Sequence, residues 1–311
     1  MTSALPGFAP VTGELAVREM EAAMKMARLY DAMVSQGCQD GELKVFLIGI
    51  FFCCFAQDNG IFTRGKFLSF LEKSPSDAAD FAKRLTRLFQ ALGLSTGQHH
   101  PQRDFPWLRD FPRLTGDCFS PGVIPTYFST SVRQLLLDCC HFDWRGISPG
   151  IFGSLFQGVM DRLRRRELGA HYTSEENILK VINPLFMDSL WREFAVARST
   201  PRKLDAFHQW IAELQFLDPA CGCGNFLMVA YRELRRLELE ILKLKLGSGQ
   251  RVLRIAHLRK VGVGQFHGIE IVDFPCQVAK VGMWLVDHQM NLLVSQAFGR
   301  DFSRLPLKES T

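Results

Sequence analysis

Nine residues, Asp-Pro-Ala-Cys-Gly-Cys-Gly-Asn-Phe from Asp218 to Phe226, stand between a short apolar run and a long amphipathic segment, and they constrain the fold more than any other part of this chain. The run Leu214 to Leu217 ends in Asp-Pro, as a buried strand does. From Asn225 to Leu246 the apolar positions Phe226, Ala230, Leu234, Leu237, Ile241 and Leu244 recur at helical spacing and form one stripe. A strand, a glycine turn and a helix in that order open a parallel α/β unit, whose ligand lies outside the carboxyl end of the first strand. Gly222 and Gly224 carry no Cβ, so the backbone can turn tightly and lie close to a ligand. Asp218 ends the strand, where its carboxylate can accept a hydrogen bond from a cationic amine. The pattern fits neither the G-x-G-x-x-G dinucleotide fingerprint nor the phosphate loop, and it has no lysine for phosphates.

The alternation continues on both sides. Asn177 to Phe194 reads as a helix with Leu179, Ile182, Leu185 and Leu190 on its apolar face. Beyond Gly262 to Gly264, a second strand runs from Phe266 to Ile271, and a helix from Phe274 to Leu293. The first half has another texture. From Val17 to about Leu94 the apolar spacing is helical, as in Met20, Met24, Ala27, Leu29 and Met33, and no period-two strand is found. Val45 to Ala56 reads as a helix buried on every side. Five prolines between Pro101 and Pro125 interrupt regular structure, and Phe105, Trp107, Phe111 and Phe119 make that stretch an ordered aromatic loop. Val132 to Cys140 and Ile151 to Leu163 return to helix.

With 311 residues, 47% of them hydrophobic and 26 of them Phe, the chain is globular and long enough for about two domains. The boundary is expected near residue 160: a helical connector over 1–160 and an α/β unit over 161–311. The nine cysteines show no C-x-x-C spacing, which argues for buried reduced thiols rather than a zinc site or disulfide framework. The N-terminus lacks a basic segment followed by an apolar run, and the most apolar stretch is shorter than the roughly 20 residues a bilayer requires. A soluble, cytoplasmic protein without membrane or metal partners is the expectation. The net charge of +5 permits a nucleic-acid partner. The basic stretches Arg162 to Arg166 and Arg232 to Lys260 are read either as phosphate contacts or as solvated helix faces.

Two further segments carry candidate ligand residues. Glu270, in Gly-Ile-Glu-Ile at the end of the second strand, can accept both hydroxyls of a ribose, and Ile271 can pack on a nucleobase. It follows Gly224 by 46 residues, and the long helix with the basic insertion Gly247 to Gly264 fills that distance. Asp273 is the alternative acid. Upstream, Gly-Ala-His-Tyr-Thr-Ser-Glu-Glu-Asn-Ile includes Thr173 and Glu176 at capping-box spacing.

The loop Asp218 to Phe226 resembles the S-adenosylmethionine-binding loop of class I DNA methyltransferases, above all those acting on the exocyclic amine of adenine. Asp218, Ala220, Gly222 and Gly224 match it position by position, and Asn225-Phe226 match its continuation. In the same resemblance Gly-Ile-Glu-Ile is the ribose motif, and Tyr172-Thr173 is the pair that covers the methionine end of the cofactor. Phe55-Ala-x-Asp58-x-Gly60-Ile-Phe62, Ile151 to Phe156 and Trp284-Leu-x-x-His288-Gln are similar to the MmeI-like enzymes, which join nuclease, helical connector, methyltransferase and target recognition in one chain. The resemblance runs from about Val17 to the C-terminus. It implies an all-helical N-terminal region followed by the first part of a Rossmann-like methyltransferase domain, with an incomplete parallel sheet. The implied cofactor site is Tyr172, Thr173, Asp218, Pro219, Ala220, Cys221, Gly222, Gly224, Asn225, Phe226, Glu270 and Ile271. The implied activity is methylation of adenine N6 in DNA, within a restriction-modification or phage-defence system.

An amine methylase also needs groups that receive the extruded base, which this family supplies as Asn/Asp-Pro-Pro-aromatic. No such tetrapeptide occurs. Asn183-Pro-Leu-Phe186 is a partial look-alike within a helical run and is read as core. No nuclease domain is read ahead of the connector within this sequence, so Asp58 is expected to be a structural residue at a helix end. The chain is expected to be a truncated form or a fragment, with catalytic residues absent. Two alternatives stand beside it: a non-catalytic cofactor-binding remnant or subunit that needs a partner chain, and a methyltransferase for a substrate other than DNA.

Overall fold

The computed structural model describes residues 13–93, 105–108, 111, 119, 124–145, 147, 150, 173, 175–246 and 258–298. The helix expected at Ile151 to Leu163, the basic run Arg162 to Arg166, Tyr172 and most of the insertion after Gly247 lie outside them.

The helical half contains α1 (Gly13–Ser35), α2 (Asp40–Asp58), α3 (Lys66–Glu72), α4 (Phe81–Leu92) and α5 (Thr130–His141). Helix α2 is apolar all round and is enclosed all round, with every residue from Phe46 to Ala56 buried. Such a helix can only sit at the centre of a core. Its phenylalanines meet others at the centroid distances of aromatic pairs: Phe46 with Phe89 at 5.9 Å, Phe52 with Phe119 at 5.4 Å, and Phe51 with Trp144 at 5.4 Å. Of the four aromatics expected in the proline-rich loop, Phe111 and Phe119 are buried, and Trp107 stacks on Phe70 at 4.9 Å. Asp58 is structural, as expected. It is the last residue of α2, and its Oδ2 accepts a 2.9 Å hydrogen bond from the backbone N–H of Trp144.

The second half begins with α6 (Glu175–Ile182), a π-helical turn (Asn183–Met187) and α7 (Asp188–Ala197), where one unbroken helix was expected. Pro184 has no N–H to continue the ladder, and the wide turn absorbs the defect. The extra residue rotates the register. Ile182 and Leu190 are buried as expected, but Leu185 is 72% exposed, so only part of the Asn183 to Phe186 look-alike is core. Ser174, between the capping-box residues Thr173 and Glu176, lies outside the described residues, and the Glu176 carboxylate pairs with Lys180 at 2.7 Å.

Helix α8 (Pro201–Glu213) leads into β1 (Phe216–Asp218), then α9 (Asn225–Leu246), β2 (Phe266–Gly268) and α10 (Asp273–Phe298). The strands pair in parallel, Phe216 opposite Phe266 and Asp218 opposite Gly268, and make a two-stranded sheet among the described residues. Phe216 and Phe266 stack at 4.6 Å, Tyr231 of α9 packs edge-on to Phe266, and Phe186 of the π turn covers Phe216. Leu244, expected in the stripe of α9, is 53% exposed near the end of that helix.

The two halves share a wall. Val278, Val281 and Leu285 of α10 belong to the phenylalanine core, whereas Met283, Val286 and Met290 belong to the core around α9. His288 Nε2 lies 2.6 Å from the carbonyl oxygen of Asn59, and Gln289 donates to that of Ile147. Among the described residues no helix is long and apolar enough to cross a membrane.

Candidate cofactor site

The strand pairing carries the chain to the site. Beyond the last paired residues, Ile269 N donates to Asp218 O at 2.9 Å and Cys221 N donates to Ile269 O at 3.1 Å, so the ladder runs on into the glycine loop. That continuation brings Glu270 to the loop, although regular pairing stops at Gly268 rather than at Ile271. Gly222 N donates to Glu270 Oε2 at 3.1 Å, across 48 residues of sequence. The other carboxylate oxygen of Glu270 accepts from Ile271 N at 2.8 Å and Val272 N at 3.0 Å. Asp273 instead opens α10 with an exposed side chain, so the geometry selects Glu270 as the acid at the loop.

Within the loop, Asp218 Oδ1 accepts from Ala220 N at 3.1 Å, and Cys221 O accepts from Gly224 N at 2.8 Å. Both glycines have positive φ, +53° at Gly222 and +79° at Gly224, where a side chain is strained. Their surroundings differ. Space in front of Gly222 is open, whereas a Cβ on Gly224 would lie 2.8 Å from the Cβ of Ala279. Gly222 therefore leaves room for a ligand, and Gly224 lets the loop rest on α10. One turn further, Gly282 admits Met228 of α9. Sequence reasoning missed Ala279, Gly268 and Cys276 as parts of this site. The small pair Ala279 and Gly282, three residues apart on a helix, was the available signal.

The remaining expected residues gather around the same place. Pro219 and Ala220 are exposed, Phe226 packs against the α9 core, and Thr173 is half-buried. Ile271 projects almost entirely into solvent, with 95% of its surface exposed. Asn225 Oδ1 is enclosed and has no hydrogen-bond partner, an acceptor that a ligand's donor would satisfy.

The amides of Ala220, Cys221, Gly222 and Gly224 are all committed to protein acceptors. A phosphate cradle needs such donors turned outward. The charge of the site is also negative. Burial, then the Asp218 carboxylate, the neighbouring Cys276 and Glu270 push the Cys221 thiol up to about 11. Burial and then Glu270 push Cys223 up to about 12. An open glycine face beside two carboxylates fits a cationic nucleoside and disfavours a nucleotide phosphate. Among the described residues no three His, Cys, Asp or Glu side chains are arranged to hold a metal ion.

At Arg235 the basic stretch departs from both of its expected readings. Arg235 is fully buried, and Arg232 lies 2.8 Å from Glu175. Lys243 pairs with Glu240 and Lys245 with Asp205, so these cations are tied to carboxylates of the fold.

Comparison with known proteins gives a consistent set of relatives. Residues 194–311 match the MmeI DNA-methyltransferase domain, and residues 41–119 match the MmeI helicase spacer domain. DNA methyltransferase A of Bacillus subtilis (strain 168) is 37% identical over 279 residues, which are 88% of this chain and 31% of that protein. A putative type II restriction enzyme and methyltransferase of Methanocaldococcus jannaschii is 23% identical over 236 residues, 59% of this chain and 19% of that protein. The solved structure of the Type IIL restriction-modification enzyme MmeI in complex with DNA superposes with a TM-score of 0.84 at 46% identity, covering 93% of this chain and 39% of that one. The chain thus spans between about a fifth and two fifths of the length of these relatives.

Proposed function

This chain belongs to the MmeI-type DNA methyltransferase family, and from that membership we propose that its glycine loop and Glu270 bind S-adenosylmethionine for methylation of adenine N6 in DNA. The setting would be restriction-modification or phage defence. The observation that carries the reading is the 3.1 Å bond from Gly222 N to Glu270 Oε2, beside an open, carboxylate-lined glycine face.

In this reading Glu270 accepts the ribose hydroxyls, and Ile271 packs on the adenine ring. Asp218, Pro219, Ala220, Cys221, Gly222, Gly224, Asn225 and Phe226 line the methionine side, with Asn225 Oδ1 as an acceptor for the ligand, and Tyr172 with Thr173 covers it. When bound, S-adenosylmethionine supplies an electrophilic methyl group on a cationic sulfur. The carboxylates of Asp218 and Glu270 favour that positive charge over a neutral analogue, and the loop fixes its position for an in-line approach by the base. Residues 1–160 would be the connector and 161–311 the first part of the methyltransferase domain. Eight free cysteines among the described residues agree with a cytoplasmic location.

Groups that receive the target amine would come from polypeptide outside this sequence, which holds no Asn/Asp-Pro-Pro-aromatic. The second reading, a cofactor-binding subunit that needs a partner chain, draws support from Leu217 in β1, 63% exposed on a sheet of two described strands. Calorimetry tests the shared claim. The folded chain should bind S-adenosylmethionine, and Glu270→Ala should weaken it about 10- to 100-fold, the loss expected for hydrogen bonds to a charged group. A folded chain that binds none overturns both readings. Tritiated methyl transfer to DNA by the chain alone overturns the need for a partner.

A further inference from the structure

Three cysteines crowd the loop, and the proposed methyl transfer gives none of their thiols a chemical role. Cys276, in the first turn of α10, donates from Sγ to the carbonyl oxygen of Glu270 at 3.8 Å. Cys221 has its thiol against the end of β2, where a Cβ on Gly268 would stand 2.6 Å from Sγ. The two thiols therefore flank the Glu270 segment, one from the helix that follows it and one from the loop it is bonded to. Cys223 is buried, whereas Cys221 and Cys276 are each partly exposed.

We propose that Cys221 and Cys276 form a thiol-modification site through which a low-molecular-weight disulfide closes the cofactor site. The proposal deepens the S-adenosylmethionine reading and rests on it. A cysteine thiolate attacks one sulfur of the small disulfide and the sulfur–sulfur bond breaks. A new disulfide joins protein and reagent, and the departing thiolate takes up the proton that the cysteine released. No other oxidant is needed. The adduct occupies space beside the Glu270 carbonyl or the Gly222 amide, where the ribose of the cofactor would lie. Cys221 reacts mainly at higher pH, because burial and then the charge of Asp218 keep its thiol protonated. Cys38 in the helical half is also partly exposed and serves as an internal control.

The test treats the full chain with hydroxyethyl disulfide and maps adducts by peptide mass spectrometry, with and without S-adenosylmethionine. Adducts are expected at Cys276 and Cys38, with Cys221 following at higher pH. The cofactor should suppress those at Cys276 and Cys221 by about tenfold or more and leave Cys38 unchanged. Modified protein should lose at least about tenfold in cofactor affinity by calorimetry and regain it with dithiothreitol. Cys276→Ser should resist the reagent at neutral pH, and whatever its cofactor affinity, that affinity should not change on treatment. Full modification at Cys276 with unchanged affinity overturns the proposal, as does reaction at Cys38 with none at Cys276 or Cys221. A folded, unmodified chain that binds no cofactor overturns the functional reading itself, and the closure with it.

Discussion

Around α2 the helical half packs phenylalanine on phenylalanine and admits few polar groups. Around α9 the other half encloses Arg235, Glu238 and His208, each 1% exposed or less. Arg235 Nη1 donates to Asp287 at 2.9 Å and to the Tyr231 hydroxyl at 2.8 Å. Arg235 Nε lies 3.0 Å from Glu238 Oε2, an ion pair by distance although not aligned as a hydrogen bond. Glu238 Oε1 accepts from the amides of Lys260 and Val261, while Arg259 reaches Asp287 at 3.0 Å. His208 presents Nδ1 to Lys245, so the network assigns its proton to Nε2, facing Glu238. Apolar cores tolerate many arrangements of similar volume, whereas buried ions must meet particular partners. These ions fix α9, which starts at the glycine loop, against α10 and the segment that enters β2. The half that holds the candidate site is thus the one with the more exacting interior.

The contrast breaks most visibly at Arg235. Arg235→Leu leaves Glu238 and Asp287 without their buried partner and should destabilise by about 3–5 kcal/mol in urea unfolding. Leu47→Met, at an equally buried site of the helical half, should cost less than about 1.5 kcal/mol. Equal losses would show that the ionic interior is no more demanding than the aromatic one. Gly224→Ala comes next. It combines φ of +79° with a 2.8 Å approach to Ala279, and about 1–3 kcal/mol of strain is expected, with weaker cofactor binding by calorimetry.

The same contrast explains what the sequence made legible. The limits of α9 are those its stripe indicated, because an unhindered glycine turn and a long amphipathic run both act locally. Glu270 was readable because a strand end places an acid at a loop by topology. Its bond to Gly222 was not, since a partner 48 residues away leaves no mark in local spacing. The burial of Arg235 beside Glu238 was hidden for a related reason. They border the apolar stripe of α9 and resemble a solvated face until α8 and α10 close over them. The π turn at Pro184 likewise shifts register by tertiary accommodation, and Leu185 shows the result.

Acid should separate the halves. Burial alone would raise Glu238, but the His208 hydrogen bond, the Arg235 charge and two backbone amides outweigh it and hold its carboxyl below the ordinary value of 4.5. Glu175 is lowered as well, its burial outweighed by Arg232. A depressed carboxyl stabilises the fold above its unfolded value, and that contribution disappears as pH falls through the folded value. From about pH 5 downward, amide exchange in α8 and α9 should therefore accelerate before exchange in α2. Simultaneous loosening would mean that the shared helix α10 couples the halves too tightly for them to differ.

The smallest effect sharpens the comparison from the other side. Asp58 is a half-buried carboxylate of the phenylalanine half, and burial raises its pKa despite the Trp144 hydrogen bond, with Asp143 adding to the rise. The sign is opposite to that of Glu238. A raised carboxyl weakens the fold above its folded value, and stability is recovered as pH falls through that value toward the unfolded one. Asp58→Asn keeps an acceptor for Trp144 N without the buried charge, so stability at pH 7 should match the parent or exceed it by up to about 1 kcal/mol. Its advantage should shrink as the parent's carboxyl becomes protonated. Asp58→Ala, which leaves that amide without its acceptor, should instead lose about 1–3 kcal/mol at every pH tested. Paired urea titrations of the two variants at neutral and acidic pH read both signs. An Asn variant as unstable as the Ala variant would show that the negative charge itself holds α2 to Trp144.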